Sequence, residues 1–541
     1  MNFLKNFLIE NNYKKFNYKN FDNNNYKNGS KILIEFNAFH PTHLCFSYVS
    51  NFLAKKYKSE IIAYNNYAII SSPLISNLKN KIKWCIGKFF GLKSFGIYKS
   101  FGTKEIIKPD IEKSIIKKNE NTAKKILKKI TNKEKLLKVK FDNIEVGDFI
   151  YDTYLKKFNE PSVNINSENF KKLFLDFYKL YFFWKTYFDK NKVKAVIGVH
   201  SCYSYGLILR IAYKKSIPTF AVSYRWIFRL SKKMKYINGQ FINYRKTFKK
   251  LNQNLRTNGK NEANKKLRLR FRGKGGANVD LITSQNSSFK KKRFKPLIKK
   301  SKRIKILIAP HDFFDAVHIY GNMFFNDFYE WLNFLGKISE NTEYDWYIKN
   351  RPNHPGKFKI YQPYTQKIIE DFSKKFKNIK LLPNEYSHHQ IIHEGIDFVL
   401  TCYGSVGIEY AYYKIPVINA SKNNPHNNYD FNINPKNKKE YIFLLKNLKK
   451  YINFGKKISK EQIKEYYFMR HIFLDKNWMF RDLNKMIKFV GSYDKIWSHK
   501  LYEYWMKNYD MKKKEKINSQ IKNFFNSNDS HISINHRTNR I

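Results

Sequence analysis

Between an apolar run, Phe398-Val399-Leu400-Thr401, and a second one, Pro416-Val417-Ile418, stand Gly404, Ser405, Gly407 and Glu409. Small residues at such a place let a ligand approach the backbone closely. A serine there can cap a helix or donate to a phosphate oxygen, and the open amides of a helix start favour an anion. Glu409, in the first helical turn, either accepts hydrogen bonds from ribose hydroxyls or simply complements the helix dipole; the turn alone leaves both open. A strand, a glycine turn, a helix and another strand make half of a βαβ arrangement, and such arrangements bind ligands at that turn.

Three other apolar runs in the second half end on polar residues able to hold a diphosphate or a leaving nucleotide. They are His311 with Asp312 and Asp315, Arg351 with His354, and Asn384 through Ser387. A single histidine is more often a satisfied structural residue than a ligand. Several at consecutive strand ends mark the edge of a parallel sheet where a site must lie.

These residues need elements to position them. In the first half, KILIEFNAF breaks at HPTH and passes into a segment with helical spacing, and EIIAYNNY reads as the next strand. Residues 104–145 suggest a lysine-rich helical insert, VGDFIYDTYLKKF offers Asp148 as a helix N-cap, and FKKLFLDFYKLYFFWKTYF reads as a buried aromatic helix. VKAVIGVH through PTFAVS repeats strand, helix and strand, which predicts a parallel sheet. Residues 244–302, with arginines and the RGKGG run, read as a connection, because RGKGG lacks the Gly-Lys-Ser/Thr ending of a phosphate loop. From Arg303 every strand is followed by a helix of crossover length, which predicts a second doubly wound sheet. The expected layout is a first domain over 1–243, a connection over 244–302, a second domain over 303–490, a closing helix over 491–510 and a disordered polar tail over 511–541.

The chain has 541 residues, ample for two cores, and a formal net charge of +61. Such a charge suggests phosphate polymers, yet lysine dominates and the first 200 residues contain no arginine. Readers of nucleic acid rely on the arginine fork, so no nucleic-acid partner is expected, and the diffuse lysine surface instead suits contact with anionic lipid heads. Cys45, Cys85, Cys202 and Cys402 form no CxxC pair, which argues against structural zinc and a disulfide framework and fits a reducing cytoplasm. No segment supplies about 18 uninterrupted apolar residues, and the opening MNFLKNFLIENNYKKF lacks a signal-peptide pattern, so a soluble or peripheral cytoplasmic protein is expected.

The series HDFFDA, FYEWL, IKNRPNHP, LPNEYSHHQII, DFVLTCYGSVGIEYAYYKIPVI and NPKNKKEYIFLL resembles, in order and spacing, the C-terminal domain of capsule and surface-polysaccharide glycosyltransferases of GT-B fold, including Kdo-transferase-like members. VGDFIYDTYLKKF is similar to a segment of their N-terminal half. The resemblance implies an α/β protein of two Rossmann-like doubly wound parallel-sheet domains facing a cleft, with the nucleotide-sugar donor held by the second. Gly404, Ser405 and Gly407 would take the phosphates and Glu409 the ribose, with His311, Asp315, Arg351, His354 and Ser387 nearby. Two departures stand out: the usual Lys-x-His-Pro is Lys349-Asn350-Arg351-Pro352-Asn353-His354-Pro355 here, and the usual Gly-x-Pro is Lys414-Ile415-Pro416.

Sugar transfer builds negative charge on the departing nucleotide, which helix amides, Arg351, His354 and His311 would stabilise. No Asp-x-Asp motif stands at a strand end, so neither a metal nor a cofactor beyond the donor substrate is expected. The base that activates a polysaccharide or glycolipid acceptor would be His40, His43, Asp148 or Asp152. The Gly-Ser-x-Gly-x-Glu stretch is shared with nucleotide-sugar 2-epimerases, which leaves epimerisation of the bound donor as one alternative; a basic nucleic-acid-binding protein that uses the lysine surface is the other.

Overall fold

Near-continuous apolar runs such as KILIEF and FVLT bury both faces of a strand, which suits parallel sheets covered by helices on both sides. The computed structural model describes residues 2–21, 26, 29–66, 78–111, 117–237, 239–273, 287–289, 294–351, 362–474, 478–480 and 483–537. The chain divides into two compact units. The first comprises Met1–Lys157, Asn164–Ile237 and Leu474–Ile541, and the second Phe158–Val163 and Asn238–Phe473.

The first unit carries β1 (Ser30–Phe36), β2 (Glu60–Asn65), β3 (Thr103–Ile107), a short hairpin of β4 (Lys140–Phe141) and β5 (Ile144–Glu145), and then β6 (Lys192–Gly198), β7 (Thr219–Ser223) and β8 (Trp226–Leu230). Its main sheet runs β3-β2-β1-β6-β7-β8, parallel except for the β7/β8 pair. The second unit carries β9 (Lys305–Ile308), β10 (Asp345–Lys349), β11 (Ile379–Leu382), β12 (Phe398–Thr401) and β13 (Val417–Asn419), ordered β11-β10-β9-β12-β13 and parallel throughout. Both units are therefore doubly wound α/β sheets. In each, the chain steps outward from its first strand and then returns to that strand's other side. The strand order thus reverses between β1 and β6 and between β9 and β12, the crevices where such sheets take ligands. Leu307, Tyr347, Leu382, Val399 and Val417 form a buried core beneath the second sheet.

The observed boundaries differ from the expected ones in two places. Residues 244–302 are not a plain connection. The helices Tyr244–Lys250 and Gln253–Phe271 belong to the second unit, and the latter packs on the helix Lys460–Phe468, where Gly259 admits the Phe468 ring. A Cβ at Gly259 would lie 2.4 Å from that ring, so the close approach requires glycine. The C-terminal segment also departs from expectation, since the residues from Leu474 onward return to the first unit instead of closing the second. Trp478 donates to the Ser223 carbonyl (2.7 Å), and Tyr502 stacks on Tyr13 with ring centroids 4.1 Å apart. The tail is folded through its described residues, up to 537. The helix Met511–Asn526, capped by Asp510, buries Ile517, Ile521, Phe524 and Phe525, and the last of these packs on Phe52 and Phe220. Its polar composition hides an apolar stripe at helical spacing, and that stripe is what folds it.

Among the described residues no helix is long and apolar enough to cross a membrane, and no group of three or more His, Cys, Asp or Glu side chains could hold a metal ion.

Candidate functional site

In the second unit, a cavity of about 230 Å3 opens at the carboxyl ends of β9, β10 and β12, at the point where the strand order reverses. Three loops reach it because each leaves a strand there: Ala309 to Asp312 after β9, Lys349 to Arg351 at the end of β10, and Thr401 to Val406 after β12. The helix Gln253–Phe271 contributes Arg270, and the helices that begin after Ser387 and Ser405 contribute His388 and Glu409.

The β12 turn is built around Thr401. Its hydroxyl accepts from the Gly404 amide (3.2 Å) and meets His311 Nε2 (3.1 Å). A Cβ at Gly404 would lie 2.8 Å from that hydroxyl, so only glycine fits the turn. His311 lies flat against Phe328, ring centroids 4.5 Å apart, and burial pushes its pKa down to about 3. It is a neutral imidazole at physiological pH. Below it, His388 is buried with Nδ1 2.6 Å from the Tyr410 hydroxyl, and burial likewise holds its pKa well below the usual histidine range.

Among the described residues, charge at the cavity is arranged in two pairs and one odd cation. Arg351 donates to Asp312 (2.5 Å), whose other oxygen accepts from Thr365 (3.2 Å), and Arg270 pairs with Glu409 while lying 3.4 Å from the Ser405 hydroxyl. Lys349 has no ion-pair partner within 4 Å among the described residues; its ammonium donates to the Asn350 carbonyl (3.1 Å). It is 4% exposed, and desolvation lowers its pKa to about 8 although Glu409 pulls the other way. Among the described lining residues, three cations against two carboxylates leave one positive charge that water barely reaches. A ligand that brings negative charge removes that imbalance.

Of the residues expected at the donor site, His311, Arg351, Gly404, Ser405 and Glu409 line this cavity. His354 lies outside the described residues. Ser387 does not line the cavity; it is buried and caps its helix by accepting from the His389 amide (3.2 Å), a structural task. Asp315 is exposed on the loop after β9 and is not part of the lining. Gly407 also differs from expectation. A Cβ there would meet His426 and Asn432 at 2.4 and 2.6 Å, so this glycine permits internal packing, and it is Gly404 that faces the cavity. Ser405 makes no capping hydrogen bond.

The candidate bases in the first unit are held by their neighbours. Asp148 takes both Arg210 nitrogens (2.6 and 2.8 Å) and the Tyr236 hydroxyl (3.1 Å), and the guanidinium lies 3.6 Å from the Phe149 ring centroid. Asp152, one turn on, is buried in the same helix. His43 places Nε2 on the Asn37 carbonyl (2.9 Å) and Nδ1 on the Tyr502 hydroxyl (2.5 Å), so the ring donates at one nitrogen and accepts at the other, and burial lowers its pKa to about 4. His40 is half-buried among the rings of His499 and Tyr502. The strand-order reversal of the first unit instead holds Glu35, near the end of β1. It is buried, accepts from the Val199 amide (2.9 Å) and has a pKa raised to about 7 by desolvation. An acid inside the apolar run KILIEF is the signal that marks it. No comparable signal marks Lys349, which reads as the last residue of a strand, or Arg270, which lies far upstream in the chain.

No family model and no curated protein matches the chain. Among solved structures it is similar to the KpsC beta-Kdo 2,4 transferase of Thermosulfurimonas dismutans, at 11% identity and TM-score 0.31 over 52% of this chain and 81% of that one. It is also similar to the UDP-GlcNAc 2-epimerase of Neisseria meningitidis bound to UDP-GlcNAc (9% identity, TM-score 0.24, 81% and 97% of the two chains). A glycosyltransferase of Rickettsia africae ESF-5 is a third (11% identity, TM-score 0.24, 89% and 100%). The functional reading rests on the residues of the cavity itself.

Proposed function

We propose that the chain is a glycosyltransferase of GT-B type that takes a nucleotide-activated sugar into the second unit's cavity and transfers the sugar to a surface-polysaccharide or glycolipid acceptor. The observation that carries this reading is Lys349: a buried lysine with no ion-pair partner among the described residues, lining one cavity with Arg270 and Arg351 beside a strand-order reversal. A diphosphate supplies the charge that such a lining lacks, and a departing nucleotide supplies more of it as the sugar bond breaks. Preorganised cations then stabilise the transition state beyond the ground state. They do so without a metal ion, which makes the reaction metal-independent in this reading. Glu409 takes the ribose hydroxyls once Arg270 turns to the phosphates.

Within the first unit, Glu35 is the carboxyl whose proton affinity best suits general-base chemistry, because a pKa near 7 lets it both accept and return a proton at neutral pH. Asp148, fully engaged with Arg210, is poorly suited to that task. Hexosyl or Kdo-type transfer, a capsule or lipopolysaccharide product and a cytoplasmic, membrane-peripheral location are the finer parts of the proposal.

Thermal-shift titration with CMP, UDP, GDP and their sugars tests the core of it: one nucleotide raises the melting temperature of the wild type, and Lys349→Met moves that rise to about 10- to 100-fold higher nucleotide concentration. No response to any nucleotide overturns the reading. The alternative, epimerisation of the bound donor, draws on the presence of His311, Asp312, Lys349 and Glu409 in one cavity. Incubation with sugar nucleotides and no acceptor separates the two, since an epimerase turns over under those conditions.

A further inference from the structure

The helix Leu78–Phe90, LKNKIKWCIGKFF, has two apolar faces, and the fold uses one of them. Trp84 and Gly87 share the inner face. Trp84 lies edge-on to Phe36 and Phe95, with centroids 5.5 and 4.9 Å away, and Gly87 sits so close that a Cβ would come within 2.8 Å of the Phe95 ring. On the opposite face Ile82, Ile86 and Phe89 recur at i, i+4 and i+7, with Phe90 beside them, and these side chains are 49, 45, 80 and 67% exposed. Lys83 and Lys88, both exposed, border this outer stripe on its two sides, and Lys93 follows it. No aspartate or glutamate occurs between Leu78 and Lys104.

Bulky apolar side chains this exposed mark an interaction surface. A cationic border on both sides selects what can lie on it. A second copy of a chain with net charge +61 would bring lysines against lysines, whereas an anionic surface gains at every border residue. We propose that this outer face docks on an anionic lipid bilayer, with Ile82, Ile86, Phe89 and Phe90 entering the boundary between headgroups and acyl chains and the flanking lysines meeting lipid phosphates. The helix Asn2–Asn20, whose Lys14 donates to the Gly91 carbonyl (3.4 Å) just beyond the stripe, opens with Leu4, Phe7 and Leu8 also exposed and extends the apolar area of this unit. The proposal stands independently of what the second unit's cavity binds.

Cys85 is the exposed one of the chain's four cysteines and lies at the margin of the stripe, so an environment-sensitive fluorophore attached there reports on this face specifically. With the labelled full-length protein, vesicles of phosphatidylcholine and phosphatidylglycerol should shift the emission to the blue and co-float the protein, and pure phosphatidylcholine vesicles should bind at least tenfold more weakly. The combined substitution Ile86→Glu, Phe89→Glu and Phe90→Glu should weaken partitioning onto the anionic vesicles at least tenfold with the melting temperature unchanged. Lys83→Glu with Lys88→Glu should remove the preference for the anionic lipid. Partitioning of the triple variant equal to wild type would mean that overall charge alone binds the vesicles, and it overturns the proposal. So does a label that stays in water while the protein is vesicle-bound. Self-association abolished by the triple variant, without vesicle binding, overturns it in favour of a protein partner.

Discussion

Asp148–Arg210 in the first unit and the charged lining of the second unit's cavity are made of the same residue types, and they differ in completeness. Asp148 receives two guanidinium hydrogen bonds and a tyrosine hydroxyl, and Arg210 covers its flat face with Phe149; nothing about the pair asks for a ligand. At the cavity, among the described residues, Arg351 and Arg270 each hold a carboxylate, and Lys349 is left with a neutral carbonyl. A buried ion that is fully paired belongs to the architecture, because removing one member strands the other. A buried ion that is incompletely paired is a standing cost that a ligand can relieve.

The largest expected effect breaks the complete pair. Asp148→Ala leaves Arg210 charged and dry, and should destabilise the first unit by about 3–5 kcal/mol, measured by urea denaturation. Nucleotide affinity of the protein that remains folded should be unchanged. Loss of turnover with full stability would instead restore Asp148 as a catalytic candidate.

Lys349→Met should move stability the other way. The folded-state pKa of Lys349, about 8, lies below its unfolded value, so the charged form is disfavoured in the fold at neutral pH. An apolar side chain of similar length should stabilise the protein by on the order of 2 kcal/mol while weakening nucleotide binding about 10- to 100-fold. Equal or tighter nucleotide binding would mean that the odd cation is not the ligand's partner.

The same residue fixes a pH window. Between pH 8 and about 10.4 the unfolded chain keeps a proton that the folded chain has lost at Lys349, so wild-type stability should rise with pH there relative to Lys349→Met. An anionic ligand needs the protonated form, so its affinity should fall above pH 8, by at most about tenfold per unit. Titration calorimetry at pH 7, 8 and 9 checks this; a flat profile would detach Lys349 from binding.

How far the sequence reached follows from which interactions are local. Gly404, His311 and Arg351 were legible because each directly follows an apolar run, and a parallel sheet sends all such positions to one edge. Arg270 was hidden because it enters from a helix more than a hundred residues upstream, in a segment whose glycine and arginine content reads as a connection. Gly407 shows the opposite failure. Its type suggests ligand approach, yet what crowds it is His426 and Asn432, which only the tertiary structure brings there. The tail could have been read, since Ile517, Ile521, Phe524 and Phe525 keep helical spacing within a polar background.

The smallest effects separate two serines that stand in similar positions at helix starts. Ser387 accepts from the His389 amide and is buried, so Ser387→Ala should destabilise the second unit by about 1 kcal/mol and leave nucleotide affinity in place. Ser405 makes no cap bond, and its hydroxyl faces Arg270 at the cavity. Ser405→Ala should therefore change stability by less than about 0.5 kcal/mol, whereas losing a hydrogen bond to a bound phosphate should weaken nucleotide binding roughly tenfold. Paired melting curves with and without nucleotide distinguish the two, because a cap lowers both curves alike and a ligand contact narrows the gap between them. If Ser405→Ala lowers both curves and preserves the gap, its hydroxyl serves the fold as Ser387 does, and the ligand's phosphates lie elsewhere along the lining, nearer Lys349 and Arg351.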